Sequence, residues 1–372
     1  METKKFYDRC GKMLKDIVEK RTGIKTACYK TEMPTKYMAV LSSILRRITV
    51  LERVVFGLQA EVRSKWMGMV LCHEILYGNR REALRFNRKM VQKVKDAYKA
   101  LGLVEKTEER VKESVYIRIN TLKATKESVS SLALKDTIIP DVYQVLERVN
   151  WSKLKSYQKG YFFVQDLSSC LPAYVLNPPA QSTVIDACAA PGNKTTHLSM
   201  LMGGEGKIFA IEKDTERFQT LREMIAKSGA ENIVSINDDF LAIDRNQDKC
   251  ILAATHILVD PSCSGSGLHP EEEKDLRRLS NLAGFQIKIL SKALKFPVVK
   301  RVVYSTCSLF EEENEAVVKV VLQANPEFKL EKALPAWPHR GLPGYDFSDK
   351  VVRCPANEET RGFFLACFVR KS

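Results

Sequence analysis

No run of apolar residues in this 372-residue chain approaches the ~18 that a helix needs to cross a bilayer, so a membrane span is not expected. The opening residues, METKKFYDRC, lack the apolar core of a secretory signal. The ten cysteines are scattered, with no CxxC pair and no dense cluster. That pattern argues against a disulfide framework and a structural zinc site, and a reducing compartment is expected. Neither GxxxxGK(S/T) nor GxGxxG occurs. Without the first there is no backbone cradle for a triphosphate, which disfavours ATP hydrolysis. Internal repeats, low-complexity tracts and lysine-rich targeting runs are also missing.

What is present is a basic, evenly composed chain. Hydrophobic residues make up 45% and charged residues 28%, as in a soluble globular protein. Lys and Arg number 59 against 45 Asp and Glu, a net charge of +14. A balance this basic suggests a polyanionic partner, with nucleic acid ahead of ordinary solubility charge. The length implies two or three domains.

Residues 1–112 read as a basic helical domain for RNA binding or packing. Phe6, Cys10, Met13, Leu14, Ile17 and Val18 recur at helical spacing, as do the apolar residues of 37–55 and 66–78. A basic helix is expected over 84–100, carrying Arg85, Arg88, Lys89, Lys93, Lys95 and Lys99. Residues 113–160 read as a small α+β segment of the RNA-recognition kind. SVYIRINTL is strand-like and KESVSSLAL helix-like, with VYQVLERV and YFFVQDLSS following. Over 161–372 strands alternate with helices. Strands are expected at 183–188, 207–212, 232–236, 256–260, 301–306 and 363–369. Such alternation predicts a doubly wound, mostly parallel α/β sheet.

The turn after the first strand of that sheet holds Cys188, Ala189, Ala190, Pro191, Gly192, Asn193 and Lys194. Small residues there let a ligand approach the backbone, and a helix N-terminus follows. Glu212 ends the second strand, where it can accept from ribose hydroxyls. Asp239 follows the third, placed to accept from an adenine amine beside Phe240. Together these acids describe a site for an adenosine-containing cofactor; singly, each is an ordinary turn residue.

Two further loops carry thiols. DPSCSGSG (260–267) brings Asp260, Pro261 and Cys263 after the fourth strand, and STCS (305–308) brings Cys307 after the fifth. If these strands are neighbours, the loops converge. The acids of 311–314 suit the first turn of a helix whose positive end would lower a thiol pKa. Alone, either cysteine would be a buried filler. Two thiols, one acid and an adenosine cofactor match methylation of cytosine at carbon-5. A thiolate adding at carbon-6 makes carbon-5 nucleophilic, and a carboxyl group at N3 and the amine stabilises the adduct. A base must then remove the carbon-5 proton. Sequence physics leaves open which cysteine attacks.

DACAAPGNKT (186–195), DPSCSGSG, YSTCS (304–308) and GFF (362–364) resemble the Nol/Nop/Sun-domain RNA cytosine-5 methyltransferases, as do RINTLK (118–123) and FVQDLSSCLP (163–172). LPAWPHRGL (334–342) and the helical N-terminal region look closest to the fifth branch, which acts on large-subunit ribosomal RNA. The resemblance implies a Rossmann-like class I methyltransferase sheet using S-adenosyl-L-methionine, with RNA as partner and no membrane or metal. A nucleolar monomer is expected, as is salt-sensitive RNA binding. The resemblance makes Cys307 the nucleophile, Cys263 the thiol that assists release, and Asp260 the group that reads cytosine. Lys194 reaches into the active site. Cys188, Ala189, Ala190, Pro191, Gly192, Asn193, Lys194 and Asp260 line the cofactor site, with Glu212 on the ribose and Asp239 on the adenine. Asp214 and Arg217 match an acid and an arginine of the family. His269 reads as a loop residue, Arg277 and Arg278 as possible phosphate contacts, His73 as a satisfied core histidine, and Phe363 and Phe364 as core.

Overall fold

A computed structural model describes residues 2–19, 22–45, 47–58, 64–78, 88–102, 114–243, 249–268 and 274–371. Arg85 and His269 lie outside the described residues. The chain forms two compact units, Met1–Arg110 and Val111–Ser372.

The described residues of the first unit form the helices Glu2–Val18, Ile24–Tyr29, Pro34–Leu45, Ile48–Gly57, Lys65–Tyr77 and Arg88–Ala100. Their apolar faces meet in a core that includes Cys10, Leu14, Leu41, Ile44, Leu51, Val54 and Met69, all fully buried. The expected helix over 37–55 is two helices, meeting near Arg47, whose backbone leaves helical geometry (φ −122°, ψ 16°). Apolar spacing carries across that break because both helices face one core. His73 is satisfied as expected, with Nε2 2.7 Å from Ser43 Oγ and Nδ1 3.0 Å from Glu74 Oε1. Among the described residues no helix is long and apolar enough to cross a membrane.

The second unit opens with a four-stranded antiparallel sheet, order β2-β3-β1-β4. Its strands are β1 (Val115–Ile119), β2 (Leu134–Asp136), β3 (Val142–Val145) and β4 (Phe162–Val164). β4 pairs with β1 through Ile117–Val164, so this sheet runs past the boundary expected at residue 160. KESVSSLAL is not a helix. It makes one 3₁₀ turn, Lys126–Val129, and then runs into β2. Val129 and Leu132 are both buried at a spacing of three, which mimics a helical face.

The larger sheet has β5 (Thr183–Asp186), β6 (Lys207–Ile211), β7 (Ile233–Ile236), β8 (His256–Val259), β9 (Arg301–Thr306), β10 (Phe328–Glu331), β11 (Val352–Cys354) and β12 (Phe363–Arg370). The order is β10-β12-β9-β8-β5-β6-β7, with β11 on β12. β5 to β9 are parallel, and β12 runs antiparallel to β9 and β10. The central parallel strands are mostly apolar because both faces are covered, whereas edge strand β7 leaves Val234 exposed. Ile185, Ile257, Leu258, Val302 and Val303 are fully buried. Each contributes about 1.5–3 kcal/mol through burial. The chain steps from β5 outward to β6 and β7, then returns on the other side to β8. That reversal leaves a crevice at the carboxyl ends of β5 and β8, the usual ligand site of such sheets.

RINTLK is explained by its contacts with the larger sheet's helices. Arg118 is fully buried; its Nε donates to Gln165 Oε1 at 2.8 Å, and Nη2 donates to Asn193 O at 3.1 Å and Thr196 Oγ1 at 2.9 Å. Nη1 also contacts the Met200 sulfur, and the guanidinium lies 5.1 Å from the Phe163 ring centre. Burial pulls its pKa down to about 10, still well above neutrality. Asn120 adds bonds to Gly160 O and Ser228 O, both 2.8 Å. Arg118 therefore ties the small sheet to the first turn of the helix Asn193–Leu201, which carries Lys194. Arg118→Met should cost on the order of 3 kcal/mol, because it strands buried partners. Urea unfolding measures this, and an unchanged midpoint would make the arginine incidental.

Candidate active site

Parallel pairing of β8 with β9 sets Val259 opposite Tyr304, so the residues that follow, Asp260 and Ser305, emerge side by side. Ser305 Oγ donates to Asp260 Oδ1 at 2.7 Å. Asp260 Oδ2 accepts from Lys194 Nζ at 2.7 Å. Lys194 arrives from the crevice side, in the first turn of the helix after β5. Its ammonium also lies 5.5 Å from the ring centre of Phe363, which is buried under it as expected of a core residue. Burial pulls the Lys194 pKa down, but the charge and hydrogen bond of Asp260, with Cys307 and Asp186, outweigh it and the net shift is upward.

The two thiols meet. Cys263 Sγ and Cys307 Sγ are 3.2 Å apart, neither is in a disulfide, and both are half-buried. The hydrogen bond with Cys307 is the main reason the Cys263 pKa stands well above the ordinary thiol value; burial and the charges of Glu313 and Asp260 add to it. Contrary to expectation, the acids after Cys307 do not open a helix. The acids of 311–313 form a 3₁₀ turn, and the helix Glu315–Ala324 starts only after it.

The backbone holds both loops close. Gly267 N donates to Cys307 O at 3.0 Å, and Gly362 N donates to Gly267 O at 3.1 Å. A Cβ on Gly267 would fall 1.9 Å from Gly362 O, so the start of β12 can seat against the cysteine loops only with glycine there. A Cβ on Gly362 would in turn fall 2.5 Å from Gly267 Cα, which accounts for the glycine of GFF. Arg278 lies beside the same loop, with Nη2 3.5 Å from Ser264 O.

On the other side of the crevice, Gly192 takes φ +106° beside the helix Thr215–Ser228. Glu212 is buried, and its carboxylate is aimed by Ala190 N at 3.3 Å, Asp214 N at 2.9 Å and Arg217 Nη1 at 3.5 Å. Arg217 Nη2 also donates to Ala190 O at 2.7 Å, tying Glu212 to the Cys188–Lys194 turn. Asp214 caps the following helix through Arg217 N. Asp239 Oδ1 accepts from Leu241 N at 2.9 Å, and Oδ2 from the exposed Lys213 Nζ at 2.7 Å. That lysine bond is the main reason its pKa is lowered.

Asp186 was not singled out from the sequence, although it opens DACAAPG. It is buried at the end of β5, and Thr195 Oγ1 donates to its Oδ2 at 2.7 Å. Its Oδ1 and the Oδ1 of Asn193 are buried with no hydrogen-bond partner among the described residues. Burial, with the Asp260 charge, lifts the Asp186 pKa to about 7. Cys188 is likewise pushed well up by burial. Among the described residues no cluster of His, Cys, Asp and Glu is arranged to hold a metal.

Comparison with known proteins gives the family and the fold. The family model for 16S rRNA methyltransferase RsmB/F matches residues 173–369. The chain is 34% identical to the 25S rRNA (cytosine-C(5))-methyltransferase rcm1 of Schizosaccharomyces pombe, covering 97% of this chain and 90% of that protein. It is 39% identical to a mouse 28S rRNA (cytosine-C(5))-methyltransferase and 36% identical to an Arabidopsis thaliana 25S rRNA enzyme of the same name. Those two matches cover 68% and 89% of this chain but only 62% and 65% of the relatives' own lengths. The crystal structure of PH0851 shares the fold, with TM-score 0.69 at 22% identity and 94% of each chain covered. A methyltransferase homologue from Pyrococcus horikoshii does too, with TM-score 0.61 at 24% identity, covering 87% of this chain and 99% of that one. With the matched region spanning the cofactor turn and both cysteine loops, the chain belongs to the RsmB/F family of rRNA methyltransferases.

Proposed function

We propose that this chain is an S-adenosyl-L-methionine-dependent RNA methyltransferase that forms 5-methylcytosine in large-subunit ribosomal RNA through a thiol adduct at carbon-6. The observation that carries the reading is the pair of reduced thiols 3.2 Å apart beside the Lys194–Asp260 ion pair. The substrate follows the relatives named for 25S and 28S rRNA. On that substrate the site of action is the nucleolus, and the basic helical unit and the small sheet grip the surrounding RNA. The chain acts as a monomer.

The crevice residues fit the cofactor. The unpartnered oxygens of Asp186 and Asn193 suit an ammonium group, Glu212 presents an aimed carboxylate for ribose hydroxyls, and Asp239 beside Phe240 suits an adenine amine. Cys188, Ala189, Ala190, Pro191 and Gly192 offer a small-residue wall. Bound there, the cofactor supplies an electrophilic methyl group.

The chain's own residues do the rest. The target base must leave its stack to enter the crevice. Cys307 is taken as the nucleophile, as in the family the chain resembles; the Cys307 hydrogen bond and burial push the Cys263 pKa up, and the Lys194 ammonium interacts with Cys307. Cys307 adds at carbon-6 and the electron pair moves to N3, which takes up a proton from solvent. Each Asp260 oxygen already accepts one bond and has a lone pair left for N3–H and the 4-amino group. Carbon-5 then takes the methyl group. Once Cys307 is a thioether, the largest cause of the high Cys263 pKa is gone. Cys263 can then lose its proton to solvent and, as a thiolate, take the one on carbon-5; N3 returns its proton to solvent and the carbon–sulfur bond breaks to give Cys307 back as a thiolate.

Incubation of total RNA with S-adenosyl-L-methionine, with and without the protein, followed by bisulfite sequencing tests this. A new 5-methylcytosine is expected in large-subunit rRNA. One in tRNA alone would move the target, and none anywhere would overturn the reading.

A further inference from the structure

We infer that Glu313 and Gln286 form a buried bracket that positions Cys263 against Cys307, making Glu313 a positioning residue for the release step. Glu313 lies on the 3₁₀ turn after β9 and is fully buried. Oε1 accepts from Ser264 N at 2.9 Å and from Gln286 Nε2 at 3.0 Å, and Oε2 accepts from Ser264 Oγ at 2.5 Å. Gln286 is fully buried in the helix Leu276–Leu294, and the same Nε2 donates to Ser262 O at 3.1 Å. Both residues flanking Cys263 are thus held, Ser264 by its amide and hydroxyl and Ser262 by its carbonyl. Glu313 is itself fixed to β9 because its carbonyl accepts from Tyr304 OH at 2.6 Å. The bracket spans the two loops, and its two anchors sit on the elements that follow β8 and β9. No bond of the bracket touches either sulfur, so its effect on them is through placement and charge.

The titratable groups around Cys263 are Cys307 and Tyr304 from β9 and its loop, Asp260 from its own loop, Glu313 from the turn, and Lys194 through Asp260. Glu313 is one of those that raise the Cys263 pKa. Removing its charge, or letting Cys263 drift from Cys307, moves that pKa the same way, down.

The test is alkylation of the full chain with iodoacetamide over a range of pH, followed residue by residue by peptide mass spectrometry. In Glu313→Gln the Cys263 midpoint should fall by about one pH unit, tenfold in reactivity at a given pH below it. Ser264→Ala, which deletes one of the three contacts and keeps the charge, should shift it in the same direction by less. Cys170, Cys354 and Cys367, all buried in the same unit, should stay protected. An unchanged Cys263 midpoint in a folded variant would overturn the bracket. Equal exposure of all these thiols would do so too, because it would mean general loosening. If Glu313→Gln does not fold, Ser264→Ala decides. The kinetic arm rests on the methyltransferase reading: kcat falls about tenfold with KM for RNA unchanged, and adduct accumulates. A shifted midpoint with no methyl transfer by the parent protein would keep the bracket and reject that reading.

Discussion

Alanine in place of Cys263 should leave the protein covalently attached to its RNA. In the proposed mechanism the forward step needs only Cys307, the Lys194–Asp260 pair and the bound methyl donor, and none of these is removed. Release is different, because a base must take the carbon-5 proton before the carbon–sulfur bond can break. Cys263 lies 3.2 Å from the sulfur that forms that bond, which places it beside carbon-6 and its neighbour. Loss of a positioned base slows a proton transfer about 10²–10⁴-fold. Adduct formation continues meanwhile, so the adduct becomes the dominant species. A denaturing gel should show a slow band that requires RNA and disappears with ribonuclease. The fold should tolerate the change, since Cys263 is only half-buried and its sulfur has one polar partner. A variant that methylates at the parent rate with no slow band would take the release role away from Cys263.

Much of this site was legible before the structure, for a reason that lies in β-sheet geometry. Parallel strands require intervening helices, so each turn at a strand's carboxyl end can be read in order from one sequence. All six strands expected between 183 and 369 are present in the larger sheet, because short apolar runs bounded by turns are what its doubly covered strands require. The convergence of the Asp260 and Cys307 loops depended on β8 lying next to β9, and it does. Other features were hidden. β10 alternates buried and exposed residues over four positions, and β11 spans three, too short to stand out. The buried carboxylate of Glu313 looked like a helix-start acid, because its partners Ser264 and Gln286 are 49 and 27 residues away. Arg118 opens the RINTLK motif, but the sequence did not show what its side chain holds. Only its burial between two elements separates it from the solvated arginines. Pairwise distances across the sheet, which no periodicity encodes, are what distinguish these residues.

Alanine in place of Cys307 should abolish methyl transfer and adduct formation together. Carbon-5 of cytosine is a poor nucleophile until a thiolate adds at carbon-6, so this variant loses the chemical step rather than a fraction of it. Losses of about 10³-fold or more are expected, as when a covalent nucleophile is removed from other enzymes. RNA affinity should be nearly unchanged, because neither sulfur is placed to contact phosphate and the basic surface is intact. The paired result separates the two thiols. Cys307→Ala gives neither product nor slow band, whereas Cys263→Ala gives the slow band. The double variant should look like Cys307→Ala alone, since release cannot matter where no bond forms. Exchanged outcomes, with the band in Cys307→Ala, would make Cys263 the nucleophile. That would also reverse the electrostatic assignment, because the thiol that attacks would be the one whose pKa is raised by the Cys307 hydrogen bond, by burial and by Glu313 and Asp260. In the parent protein, alkylation by iodoacetamide should therefore reach Cys307 at lower pH than Cys263, and that order can be measured without any RNA.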